Sequence, residues 1–245
     1  MKLVTAYSHK GGTGKTTALM MLASAIDAEG KSALLIDSDP HQSFAAYRAH
    51  ALESDANAWS DRFDIVYLPY DKIDPLDMEG RLLDADDSGK YDYCLINLPG
   101  VDHPFNRCAL QYAEVTLIPF APSSLDLMEV PPALDVIRQL SQEGRVGKAR
   151  VVFTRMKPQN KRTVANVRDI EAVLMNFPTL ETMIKDTAIF GDLVMRGLLA
   201  RTLAYFEANA TGLAKAEVPR LKAALADCQA LLHEINTLMQ EVGHD

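Results

Sequence analysis

The sequence has 245 residues, 48% of them apolar and 24% charged, with a formal net charge of −8 at pH 7. That length suits one α/β domain with its own core. The acidic balance argues against nucleic-acid binding by bulk charge and leaves room only for a local basic patch. Three cysteines without paired spacing, Cys94, Cys108 and Cys228, fit a reducing compartment and argue against a disulfide framework or a zinc site.

Residues 2–7 read as a strand that runs straight into a glycine loop, so no signal peptide is expected. No apolar run is long enough to span a bilayer, and the expected location is cytoplasmic. A helix is predicted over 17–29, with Gly30 as its C-cap. Strands are predicted over 32–36, 63–68, 91–96, 115–120 and 149–154. Helical patterns cover 43–56, 74–86, 125–142, 161–176 and 216–242. Strands alternating with helices imply a three-layer, doubly wound α/β fold, a mostly parallel sheet with helices on both faces. With no repeat, low-complexity segment or long linker, residues 1–245 are read as one domain. In such a sheet the ligand lies at the carboxyl ends of the strands.

The first predicted strand ends in Lys10-Gly11-Gly12-Thr13-Gly14-Lys15-Thr16-Thr17. Glycines let backbone N–H groups turn inward toward phosphate oxygens, and the following helix offers its N-terminus to the anion. Lys15 can reach the β- and γ-phosphates and the Thr16 hydroxyl can ligate Mg²⁺. An ordinary Walker A pattern needs glycine five positions before Gly14, where this chain has His9. The deviant form, with an extra lysine opening the loop, matches instead.

The second predicted strand runs into Asp37-Ser38-Asp39-Pro40-His41-Gln42-Ser43. Two carboxylates at i and i+2 point the same way while the chain stays extended. A pair of aspartates capping a helix that starts at Ser43 is the competing reading.

These segments resemble the ParA/MinD family of deviant Walker P-loop ATPases. The look is closest to the small ParA type without an N-terminal DNA-binding extension, and to the VirC-type accessory ATPases of T-DNA transfer. The resemblance implies that Lys10 acts in trans across an ATP-dependent homodimer, at the partner's nucleotide. It places Asp39 at the attacking water and Asp37 near the Mg²⁺ shell. The family usually has Gln directly after the proline, and here His41 intervenes.

The fourth strand closes as Ile96-Asn97-Leu98-Pro99-Gly100, with Asn97 where the family carries its Walker B aspartate. An amide keeps an acceptor oxygen but has no charge. Retained nucleotide binding with weaker Mg²⁺ dependence, slower hydrolysis, or both, is therefore expected, with Thr16, Asp37 and Asn97 as the candidate metal residues.

By the same resemblance, the loop after the sixth strand, with Arg155 and Pro158, borders adenine. The stretch from Pro119 to Asp126 borders the dimer interface. Lys157, Lys161, Arg162, Arg196 and Arg201 are candidate contacts to nonspecific DNA, since phosphates need little beyond a cation. A solvated basic face is the equal alternative.

The acidic carboxyl end lacks the Lys/Arg face of a membrane-binding helix, so no membrane partner is expected. The function implied is ATP-dependent positioning or partition of DNA or a large cargo. A ParB-like or cargo adaptor would be the partner, and the ATP-bound form would be nucleoid-associated. Two other readings stand beside it. One is a nucleotide-gated recruitment protein with little turnover. The other is an iron–sulfur relative of the nitrogenase iron protein, for which one suitably placed cysteine per subunit is too few.

Overall fold

Short apolar strands separated by helices can bury both faces of a sheet only if the helices cross over it on alternate sides. The computed structural model of the chain describes residues 1–122, 127–143, 146–157 and 164–241. Its strands are β1 (Lys2–Ala6), β2 (Ala33–Asp37), β3 (Phe63–Tyr67), β4 (Tyr93–Asn97), β5 (Val115–Phe120) and β6 (Lys148–Phe153). They form one sheet in the order β3-β2-β4-β1-β5-β6. Every neighbouring pair is parallel.

The helices are α1 (Lys15–Ala28), α2 (Ser43–Glu53), α3 (Pro75–Asp87), α4 (Pro104–Tyr112), α5 (Val130–Glu143), α6 (Val164–Asn176), the single turns α7 (Ala188–Gly191) and α8 (Leu193–Arg196), α9 (Leu199–Asn209) and α10 (Glu217–Gln240). Side-chain alternation sorts the core. Ala33, Leu35 and Leu95 face α1, α2, α9 and α10, whereas Leu34, Ile36, Cys94 and Ile96 face α3, α4 and α5. Each fully buried Leu or Ile contributes roughly 1.5–3 kcal/mol. Helix α1 is buried continuously from Ala18 to Asp27, because it lies between the sheet and α10. An all-round apolar sequence is what such a position requires. Gly30 follows α1 at φ 72°, as expected of its C-cap.

All six predicted strands are present, with ends shifted by at most two residues. Helices α4 and α7–α9 were not anticipated. Of the predicted 125–142 helix, Leu127 is helical and α5 covers Val130–Glu143, while residues 125–126 lie outside the described residues; of the 161–176 helix, the described part begins at Val164.

Register decides where the chemistry lies. In β2 and β4, Asp37 is paired with Asn97; in β1 and β4, Ala6 is paired with Asn97. The carboxyl ends of three adjacent strands thus release the glycine loop, the Asp37–Asp39 segment and the Asn97 turn side by side.

Candidate functional site

The glycine loop is braced from within before any ligand arrives. The Ser8 hydroxyl donates to the Lys10 carbonyl at 2.9 Å and lies 2.9 Å from Thr13 Oγ1. Ser8 has one proton, so the Thr13 hydroxyl must donate back to it. Thr154 at the end of β6 ties the loop from the other side, donating to the Thr13 carbonyl at 2.9 Å. Gly14 caps α1 at φ 105°, a conformation glycine adopts freely, and a Cβ there would stand 3.2 Å from Thr154 Cγ2. Gly100 matters for proximity: a Cβ would meet the Ser8 and His9 carbonyl oxygens at 3.3 Å, so the turn after β4 packs on the loop.

Lys15 is 7% exposed. Among the described residues its ammonium donates only to neutral oxygens, the Ser8 hydroxyl at 3.3 Å and the Lys10 carbonyl at 3.1 Å. Burial lowers its pKa below the ordinary lysine value, partly opposed by the charge of Asp39. A desolvated cation with neutral neighbours is an anion receptor.

Asn97 links the other two segments. Its Nδ2 donates to Asp37 Oδ1 at 3.0 Å, and the Thr16 hydroxyl reaches its Oδ1 at 3.5 Å. Asp37 is 1% exposed and also accepts from the backbone N–H groups of Asp39 at 3.2 Å and Phe44 at 2.9 Å. The Phe44 bond lies in the first turn of α2, whose own N-cap residue, Gln42, makes no side-chain cap. Asp37 therefore caps that helix from a strand end, and the helix-capping reading holds for it. Burial raises its pKa; the hydrogen bonds from Phe44, Asn97 and Asp39 oppose that rise.

Among the described residues no lysine or arginine pairs with Asp37. A buried carboxylate without a cation, linked through Asn97 to the Thr16 hydroxyl, fits a nearby Mg²⁺ that would take most of its ligands from phosphate and water. Asp39 turns its Oδ1 onto His41, accepting from the backbone N–H at 2.9 Å and lying 2.7 Å from Nδ1.

Lys15, Thr16, Thr17, Asp39, His41, Asn97 and Arg155 line one cavity of about 300 Å³ with Gly11, Gly12 and Gly14. A second of about 240 Å³ shares Gly14, Thr17 and Arg155, and is completed by Tyr47, Thr154, residues 184–187, Phe190 and Gly191. The two together suit a phosphate chain and an attached nucleoside. A larger cleft of about 470 Å³ lies beyond Lys185 against α10, with mostly apolar walls and no inward-turned glycine loop for phosphate.

The structure brings together the candidate residues Lys10, Gly11, Gly12, Thr13, Gly14, Lys15, Thr16, Thr17, Asp37, Asp39, Asn97 and Arg155. Sequence reasoning missed Ser8, Tyr47 and the 184–191 wall. Ser8 was open to notice as a small hydroxyl residue just before the loop; the wall carries no motif. Pro158, Lys161, Arg162 and residues 123–126 of the predicted interface loop lie outside the described residues.

Three of the basic candidates for DNA already hold carboxylates within the chain. Arg201 is committed to the buried Asp27 at 3.0 Å and to Ser60 at 3.1 Å, and Arg196 to Glu217 at 3.2 Å. Both bind the protein's own carboxylates, which leaves their guanidinium groups poorly placed for phosphates. Lys157 remains more than half exposed but pairs with Asp186 at 2.9 Å. Arg201→Ala is therefore expected to cost about 1–3 kcal/mol of stability, softened because Arg62 still pairs with Asp27. Chemical denaturation checks the cost, and DNA affinity of the folded variant is expected to be unchanged.

Comparison with known proteins agrees with this geometry. The family profile described as VirC1 protein matches residues 1–241. Protein virC1 of Rhizobium rhizogenes is 29% identical over 203 residues, 83% of this chain and 84% of that protein. Maintenance of carboxysome distribution protein A of Synechococcus elongatus is 26% identical over 171 residues, 58% of this chain and 67% of that protein. A chain of the MinC:MinD cell division protein complex of Aquifex aeolicus superposes with a TM-score of 0.68 at 19% identity, covering 96% of this chain and 97% of that one. A putative plasmid partition protein of Borrelia burgdorferi B31, bound to AMPPNP, gives 0.61 at 16% identity, covering 92% and 97%. The structural likenesses carry the fold alone, but the family profile spans both the glycine loop and the strand ends around it. The chain accordingly belongs to the VirC1 family and is a ParA-type relative of the P-loop ATPases.

Proposed function

We propose that the chain binds ATP in the two joined cavities, pairs with a second copy when ATP is bound, and hydrolyses it slowly. The observation that carries this reading is Lys15, a buried ammonium held, among the described residues, only by neutral oxygens at the mouth of a braced glycine loop. The loop N–H groups and Lys15 hold the phosphate oxygens, and the Thr16 hydroxyl is placed to ligate Mg²⁺. Mg²⁺, when bound, neutralises charge on the phosphates. Asp39 orients the attacking water, and Lys10 reaches the partner copy's nucleotide. Hydrolysis is slow because Asn97 offers an amide where a carboxylate would hold the metal's water. The dimer positions or partitions DNA or a large cargo, with a ParB-like or cargo adaptor as its trigger, in the cytoplasm and on the nucleoid.

A second reading, nucleotide-gated recruitment with little turnover in conjugative or T-DNA transfer, is favoured by two observations. One is the amide at position 97; the other is the internal pairing of Arg196 and Arg201. Among the described residues no helix is long and apolar enough to cross a membrane.

A sizing run with ATP, ADP or no nucleotide, alongside DNA binding at two salt concentrations, tests the proposal. ATP-dependent dimers with salt-sensitive DNA binding support positioning on DNA. Dimers that ignore DNA support recruitment. A chain that stays monomeric with ATP contradicts both.

A further inference from the structure

Arg155 follows β6 with φ 52°, the left-handed region that residues with side chains adopt only at a cost. This backbone turn directs its guanidinium back over the glycine loop. A Cβ built on Gly12 would lie 3.9 Å from an Arg155 terminal nitrogen. The side chain lines both cavities, so it stands where they meet. It is exposed, and among the described residues it makes no ion pair and no hydrogen bond. By contrast, Arg62, Arg107, Arg138, Arg196, Arg201 and Arg220 all hold carboxylates.

We propose that Arg155 is a phosphate clamp acting within its own subunit, gripping the polyphosphate of a bound nucleotide rather than reading its base. The inference rests on the ATP-binding reading above and deepens it. The charge balance of the site supports it. Asn97 removes one negative charge from the usual metal-holding set, and Arg155 adds a fixed positive charge to the same cavity. Together they shift neutralisation of the phosphates from a metal toward the protein. A guanidinium suits this role because its planar fork grips phosphate oxygens in pairs and stays charged at any working pH. Arg155 then contributes most when Mg²⁺ is absent and the phosphates are least neutralised.

The test is equilibrium binding of ATP, ADP and adenosine to the full chain and to the Arg155→Ala and Arg155→Lys variants, in Mg²⁺ and in EDTA. Because Arg155 is exposed, Arg155→Ala is expected to melt with the wild type, which thermal denaturation verifies. Arg155→Ala is expected to weaken ATP binding by about 30-fold in EDTA, within the range of a charge-assisted hydrogen bond, and by less in Mg²⁺. Adenosine binding stays within about threefold, and Arg155→Lys recovers part of the loss. Equal losses for ATP and adenosine would assign Arg155 to the base and overturn the clamp. So would unchanged ATP affinity in EDTA, although ATP binding itself would then still stand. If the wild-type chain binds no ATP, the reading beneath the clamp fails with it.

Discussion

A Lys15→Met chain is expected to bind ATP at least about 100-fold more weakly than the wild type, a loss of roughly 2.7 kcal/mol. It is also expected to melt at a higher temperature. Methionine keeps the unbranched apolar stem that fills the loop and removes only the ammonium. In the nucleotide-free chain that ammonium is buried against neutral oxygens, so its charge costs stability.

The pH dependence follows from the sign of the shift. The folded-state pKa lies below the free value of 10.5. Between the two values the unfolded chain binds more protons, so wild-type stability rises with pH through that window. The stability gap between Lys15→Met and wild type should therefore be widest at neutral pH and close above 10.5. Denaturant titrations at several pH values check this. A gap independent of pH would mean that Lys15 is not desolvated.

Asn97→Asp is expected to have the opposite character. The new carboxylate would replace an amide that now donates to Asp37 Oδ1 at 3.0 Å, in a place where both residues are buried. A hydrogen bond becomes a like-charge contact, and burial already raises the pKa of Asp37. Without a metal the cost is about 3 kcal/mol at pH 7. Raised carboxyl pKa values mean the folded state binds more protons than the unfolded one, so this cost shrinks as pH falls into the carboxylate range.

A divalent cation should reverse the loss, because two carboxylates and the Thr16 hydroxyl would then be available to hold it. The variant should melt well below wild type in EDTA and recover with Mg²⁺ and ATP. Its turnover should rise roughly tenfold, with sharper Mg²⁺ dependence. An EDTA melting point equal to wild type would show that the Asn97–Asp37 contact does not organise the empty site.

These expectations draw on parts of the chain that differ in how openly they can be read. The glycine loop is contiguous and each of its residues has one backbone or side-chain task, so the sequence from Lys10 to Thr17 reads directly as a phosphate site. The strands are legible for a related reason: burial on both faces demands runs such as Cys94-Leu95-Ile96. The nucleoside side is different. Its far wall, residues 184–187 with Phe190 and Gly191, is brought in by an isolated parallel bridge between Met156 and Lys185. Walls of this kind work through shape and backbone, and no residue spacing announces them.

Charge patterns leave the partners of basic residues open for a physical reason as well. Arg201 sits in the mostly apolar run Leu199-Ala200-Arg201-Thr202-Leu203, yet its partner Asp27 lies 174 residues away on α1. Whether a basic residue meets solvent or a buried carboxylate depends on tertiary packing of α9 against α1. Helix α4 had a local signal, His103 accepting from the Phe105 N–H at 3.2 Å and Pro104 at the first helical position. Its nine residues are fewer than the stretch over which a helical period declares itself.

The most direct test of the account is equilibrium ATP binding to the wild-type chain, measured calorimetrically in Mg²⁺ and again in EDTA. One ATP per chain is expected in both conditions, with EDTA weakening affinity by no more than about tenfold, because Lys15, the loop N–H groups and Arg155 carry much of the neutralisation. Absence of binding in Mg²⁺ would contradict the nucleotide site itself. Binding that vanishes in EDTA would contradict the claim that this chain moved charge neutralisation from the metal to its own side chains.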